Sequence, residues 1–372
     1  MTHILHIETG HHLYGGALQV LYLTEGLKKQ GFQNTLVCVK DSEISRAAVG
    51  FSDIYDIPLS GELDPALVVR ILKIIRNTRP DIVHIHSRRG ADIWGGIAAA
   101  LAKTCAVITR RVDNPEHPWI VNAKYRLYDR VITISEGIKR VLLSEGVPSK
   151  KIICIPSAVD TKPFEGDCQK SWFYKEFEVN QRDKIIGVIA QLIKRKGHRY
   201  LINAAPEILK KSPHTTFMFF GKGPLKNQLR QLCDENSITN KVYFVGFRTD
   251  LERILPCLDL IVHPATMEGL GVSLLQAAAS RLPIIATRTG GIPEIVHDRV
   301  NGYLVDPGNI KGITRAVKNL LEDEALSKKF GQEGHTIVSS HFSIKAMVEG
   351  NICVYKNILS ERKNLSQQGF GA

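Results

Sequence analysis

Short apolar runs alternate with amphipathic stretches along most of the 372 residues. In the first part, apolar runs at 3–7, 35–39, 82–86, 106–109, 131–134 and 152–155 read as strands. Helices are predicted between them at 17–30, 65–77 and 95–103, with the 3.6-residue period carried by Leu67, Val68, Ile71, Leu72 and Ile75. Strands alternating with helices predict a parallel sheet covered on both faces. The pattern lapses at 156–183, where two prolines, charged residues and the cluster Trp172, Phe173 and Tyr174 read as a linker with a short helix. It resumes with strands at 185–190, 215–220, 242–245, 258–263, 284–287 and 302–305, and helices at 198–211, 224–236, 273–280, 310–322 and around 324–330. A last helix, about 344–362, is expected to pack back on the first half, followed by a loose polar tail.

The chain is therefore predicted to be α/β, with an N-terminal domain (1–160), a linker (161–183), a C-terminal domain (184–343) and a returning segment (344–372). Two Rossmann-like, doubly wound halves are expected to face a cleft, with ligands at the carboxyl ends of their strands.

Lys plus Arg is 49 against 37 for Asp plus Glu, a formal charge of +12. Such an excess suits anionic small molecules, an anionic membrane surface or nucleic acid. The cations are spread out and form no nucleic-acid motif, which argues against the last. No apolar run reaches the roughly 18 residues of a membrane span, and the N-terminus lacks the pattern of a signal peptide. Seven scattered cysteines without a CxxC pair predict reduced thiols in a cytoplasmic protein, with Cys38, Cys105 and Cys154 in the core.

Chemistry concentrates where predicted strands run into helices. At 263–278 a strand meets a loop carrying Glu268, Gly269, Leu270 and Gly271, and a helix opens near Val272. Free N–H groups at a helix start attract phosphate, while a carboxylate beside them must serve another group. A ligand with both phosphates and hydroxyls, such as a nucleotide sugar, fits that pair. Glycines at strand-to-helix turns are also general in parallel α/β proteins, so this loop alone leaves both explanations open. Gly15 and Gly16 follow the first strand, as an anion-binding nest or a tight turn. Gln191 opens a loop with Lys194, Arg195 and Lys196, placed to stabilise a departing diphosphate or simply solvated. Gly221 and Gly223, then Gly246 and Phe247, mark the edge where a nucleotide base would lie.

In the first half, His84 and His86 share one face of a strand, with Ser87, Arg88 and Arg89 following. No third ligand is evident, so no metal is expected. Arg110, Arg111 and Asp113 end the next strand, as ligand contacts or as a structural Arg–Asp pair. There is no GxSxG, HExxH, DxD or kinase signature.

Taken in order, these motifs resemble those of glycosyltransferase family 4, retaining sugar-nucleotide enzymes of GT-B fold. The resemblance runs from the first glycine loop through 301–307. It implies a nucleotide-sugar donor held mainly by the second domain and an acceptor mainly by the first. Gly15 and Gly16 would approach the diphosphate, and Lys196 inherits a phosphate contact. Gln191 stands where the family has Arg. Glu268 inherits contact with the donor sugar, and Gln276 stands where a second acid usually grips the ribose. Gly221, Gly223, Gly246, Phe247, Gly269, Leu270, Gly271 and Val272 complete the implied donor site. Arg111 replaces the family's histidine, making Glu268, Lys196 and Arg111 the candidate catalytic residues.

With no DxD pair, no metal is expected, and no cofactor; in the implied chemistry the departing diphosphate assists deprotonation of the acceptor, which fits a site without an obvious carboxylate nucleophile. The implied acceptor is a cell-envelope glycan, such as lipopolysaccharide, or a lipid-linked one. The basic stretch 124–140 would favour peripheral contact with an anionic inner membrane, or else is ordinary helix and strand. Two alternatives remain: a non-catalytic nucleotide-sugar binder, supported by Gln191 and Gln276, and a sugar-nucleotide epimerase.

Overall fold

The computed structural model describes residues 1–59, 61, 64–86 and 90–368, with side chains to 364. Ser87, Arg88 and Arg89, and the end of the tail at 369–372, lie outside the described residues. The chain forms two compact units, Met1–Ala158 with Ile344–Ala372, and Val159–Ser343.

Among the described residues of the first unit, seven strands make one parallel sheet. They are β1 (His3–Glu8), β2 (Gln33–Val39), β3 (Asp53–Ile57), β4 (Ile82–Ile85), β5 (Cys105–Arg110), β6 (Arg130–Thr133) and β7 (Ile152–Cys154), in the order β3-β2-β1-β4-β5-β6-β7. β1 and β5 are buried along their full length, as strands covered by helices on both faces must be. The order reverses between β1 and β4, and such a reversal opens a crevice at the carboxyl ends. β3 was not predicted, because Asp-Ile-Tyr-Asp-Ile is a largely exposed edge strand without an apolar run. Helices Pro118–Arg126 and Glu136–Ser144 were not predicted either.

The second unit has a six-stranded parallel sheet among the described residues. Its strands are β8 (Lys184–Ile189), β9 (Thr215–Phe220), β10 (Val242–Gly246), β11 (Leu260–His263), β12 (Ile284–Thr287) and β13 (Gly302–Val305), in the order β10-β9-β8-β11-β12-β13. Here the reversal lies between β8 and β11. Phe217 and Phe219 fill one side of the core with Leu201, Ile208 and Val317.

Three expectations need correction. Residues 161–183 belong to the second unit and are not a free linker. Helix Lys170–Phe177 buries Phe173, Arg253 lies 4.0 Å over the Trp172 ring, and Arg248 pairs with Glu176 at 2.7 Å. Cys168 and Cys257 are disulfide-bonded rather than reduced, 89 residues apart, a pairing that spacing alone does not reveal. The last helix belongs to the first unit and continues to Gln368, through part of the segment expected to be loose. It carries Tyr355, whose hydroxyl lies 2.6 Å from His84 Nδ1. Among the described residues no helix is long and apolar enough to cross a membrane.

Helix Glu324–His341 packs on helix Val272–Ala279, which follows the Glu268 loop. At Gly331 an added Cβ would lie 1.9 Å from the backbone oxygen of Arg281. Alanine normally favours a helix interior over glycine by about 1 kcal/mol, but overpacking against fixed backbone costs about 1–3 kcal/mol. Gly331→Ala should therefore lower the thermal unfolding midpoint, read by circular dichroism.

Candidate functional site

In the second unit, the reversal between β8 and β11 gathers the chemistry. The turn after β8, Lys194–Lys196, ends at Gly197, which has φ +68°. A Cβ at Gly197 would sit 1.9 Å from the carbonyl oxygen of Pro264, so only glycine lets this turn lie against the loop after β11. The Thr266 N–H donates to the Arg195 carbonyl at 2.7 Å and fastens the two loops.

This places Lys196 Nζ on Glu268 Oε2, and His263 Nε2 lies 2.7 Å from the same oxygen. Glu268 is nearly buried, and burial alone would raise its pKa. The His263 hydrogen bond and charge, then the Lys196 ammonium, outweigh burial and hold the carboxyl down at about 2. Gly271, at φ +99°, caps helix Val272–Ala279, whose first amides have no acceptor within the helix. Leu270 is buried beneath the loop, and Val272 and Gln276 are half-buried along the helix.

The remaining expected positions divide. A Cβ on Gly221 or Gly223 would meet the backbone oxygen of Ala190 at 2.0 Å or of Leu192 at 2.4 Å. These glycines are needed to let the loop after β9 run along the loop after β8, where Leu192 N–H donates to Lys222 at 3.0 Å. The Gly246 carbonyl accepts from Gly221 at 2.8 Å, and Phe247 beyond it is exposed. Gln191 is exposed at the start of its loop.

In the first unit, Gly15 and Gly16 begin helix Gly15–Lys29, and neither has the positive φ of a nest. Arg111 lies over Gly16, its Cδ 3.5 Å from where a Cβ would stand. Desolvation lowers the Arg111 pKa to about 10, partly opposed by Glu8. Arg110 is structural instead. It is buried, pairs with Glu116 at 2.8 Å and donates from Nε to the Val112 carbonyl at 2.9 Å. Its acidic partner is thus Glu116 and not Asp113. Glu116 also holds Lys124, which reaches Asp92 at 3.3 Å. Lys124 is therefore a core residue, and Arg130 and Lys139 are paired with Glu361 and Glu136, while Arg126 and Arg140 of the stretch 124–140 are exposed.

His6 on β1 joins His84 and His86, with ligand atoms within 4.8 Å of one another. This supplies the third histidine that the sequence did not reveal. Both nitrogens of His84 have partners, Tyr355 and Thr109, and both of His6 have His86 and Asn34. Such a set fits a hydrogen-bonded relay. Burial keeps all three pKa values below the usual histidine range, that of His6 at about 4.

The family described as glycosyl transferases group 1 matches residues 171–336, and glycosyltransferase family 4 matches 14–163. EpsD of Bacillus subtilis, described as a glycosyltransferase, is 31% identical over 312 residues, covering 78% of this chain and 80% of that protein. The chain belongs to glycosyltransferase family 4. An Escherichia coli relative, UDP-Gal:alpha-D-GlcNAc-diphosphoundecaprenol alpha-1,3-galactosyltransferase, is 25% identical over 71% of this chain and 72% of its own. The fold is GT-B. Anabaena HepE, solved with UDP-glucose, superposes with a TM-score of 0.83 at 19% identity, covering 97% of this chain and 100% of that one.

For a family 4 glycosyltransferase, the partner of Glu268 that sequence reasoning missed is His263. It begins the motif that drew attention to Glu268, and stands at the last position of β11. A polar residue closing an apolar strand five residues before an acid was the available signal.

A carboxyl held at about 2, below its ordinary 4.5, stabilises the folded unit above pH 4.5 and loses that contribution as pH falls toward 2. Glu268→Gln should melt below the parent at neutral pH, and the gap should close through that window. Thermal unfolding in a series of acidic buffers checks this; a gap constant with pH would count against the pairing.

Proposed function

We propose that this family 4 glycosyltransferase is retaining and metal-independent, and moves a sugar from a nucleoside-diphosphate donor to a glycan or lipid-linked acceptor of the cell envelope. The observation that carries this reading is the Lys196–Glu268–His263 cluster at the β8/β11 reversal, beside a helix N-terminus. Lys196 and the first helix amides supply positive potential for the departing diphosphate without a metal. Glu268, kept ionised by its partners, accepts hydrogen bonds from donor-sugar hydroxyls. Gln276, on the same helix, offers the ribose one acceptor and one donor in place of a carboxylate.

A uridine donor is favoured by the Escherichia coli relative and by the UDP-glucose bound to HepE. Peripheral contact with an anionic membrane is supported by the charge of +12 and by the exposed Arg126 and Arg140. A cytoplasmic setting belongs to the same reading, although the Cys168–Cys257 bond weighs against its reduced-thiol argument. Gln191 and Gln276 are the features that favour a non-catalytic nucleotide-sugar binder instead.

Calorimetry with UDP-, GDP- and ADP-sugars should show binding of the UDP-sugars foremost. Lys196→Ala should weaken UDP affinity about tenfold or more, the scale of a charge-assisted contact. Glu268→Ala should lower donor turnover about 10²–10³-fold while UDP still binds. Binding without hydrolysis or transfer would identify the non-catalytic alternative, and no nucleotide binding would reject both.

A further inference from the structure

Hydrogen-bond partners fix the protonation of two buried histidines in the first unit, His6 and His86. The Asn34 side-chain Nδ2 lies 3.0 Å from the Thr24 carbonyl and 3.1 Å from the Phe51 carbonyl, so it is the amide donor to both. Asn34 Oδ1 is therefore the atom 3.3 Å from His6 Nε2, and His6 must donate from Nε2. Neutral His6 then accepts at Nδ1. His86 Nε2, 3.0 Å away, must be the donor. His86 is left as the Nε2–H tautomer, with a lone pair on Nδ1.

That Nδ1 is buried and has no hydrogen-bond partner among the described residues. His86 is 3% exposed and follows β4 directly, its N–H donating to the Ile7 carbonyl of β1 at 3.0 Å. It thus stands where the sheet order reverses, the place where open α/β sheets receive ligands. Arg111, at the end of neighbouring β5, is close enough for its charge to act on His86, and its Nε–H is also buried without a partner. Arg111 as a whole is half-buried. One unfilled acceptor and one unfilled donor thus follow the ends of the paired strands β4 and β5, and each left unmet is costly in a folded protein.

We propose that the Asn34–His6–His86 relay presents His86 Nδ1 as the acceptor for one hydroxyl of the acceptor sugar, with Arg111 Nε–H donating to the same ligand. This rests on the glycosyltransferase reading and specifies how its acceptor is held. The relay excludes the Nδ1–H tautomer, which would turn a hydroxyl's proton away. His6 and Asn34 are positioning residues, because they act through His86.

The test uses the full chain with 15N-labelled histidine, and the His86 signals are assigned by their loss in His86→Asn. In the free protein, long-range 1H–15N spectra should show Nδ1 unprotonated and Nε2 protonated; the opposite tautomer overturns the relay. His6→Phe removes the acceptor for Nε2–H and should give a mixed tautomer, whereas an unchanged one overturns it. The parent spectrum carries this part of the test if that variant does not fold. The methyl α-glycosides of glucose, galactose and N-acetylglucosamine should shift the Nδ1 resonance. No shift with any of them means a structural water only, and overturns the site.

His86→Asn places an oxygen near the Nδ1 position and should keep glycoside binding within a few-fold, while His86→Phe should lose about tenfold or more. Equal loss in both overturns the hydroxyl contact. UDP titration of the same proteins reads the second unit separately. UDP binding with an unresponsive His86 defeats this proposal alone; a responsive His86 without nucleotide binding defeats the donor reading alone.

Discussion

One carboxylate oxygen, Glu268 Oε2, is shared by an ammonium and an imidazole, and the second unit is arranged to permit that sharing. Three nearly buried polar side chains that failed to meet would each be costly to desolvate. They meet because Gly197 lets one loop press its backbone against Pro264 of the next. The parallel sheet brings both loops to the same edge, because β8 and β11 are neighbours although two strands intervene in the chain. A charge held this way is ionised and oriented before any ligand arrives, which is the condition for electrostatic catalysis to avoid reorganisation at the moment of reaction.

The alternation of strand and helix was legible because buried parallel strands are continuous apolar runs, and β1, β5 and β9 are of that kind. β3 escaped because an edge strand has only part of its surface to bury. The loops bearing Lys196 and Glu268 were also legible, since glycine and charge at a strand's carboxyl end stand out against the apolar run before them. Partnership was not. Nothing in the sequence says that Arg110 turns inward to Glu116 while its neighbour Arg111 lies over Gly16. The same holds for Lys124, which looks like one cation of a basic stretch and is buried between two acids. Which charges face inward is set by tertiary packing across dozens of residues, beyond any local period.

The two units use their reversal points differently. In the second, full charges are opposed and satisfied by each other. In the first, neutral rings are chained through hydrogen bonds, and burial keeps them neutral. The first arrangement suits a ligand that carries charge, since such a ligand can exchange places with an internal counter-ion. The second suits a ligand read by hydroxyl direction, for which a fixed tautomer matters more than field strength.

The bond between Cys168 and Cys257 has a topological consequence. The span it closes contains β8, β9 and β10, one whole arm of the second sheet, while β11, β12 and β13 lie outside it. That arm is a covalent ring with two tails. A protease nick anywhere within the ring would leave the polypeptide in one piece until a reductant opened it, whereas a nick in the other arm would release a fragment.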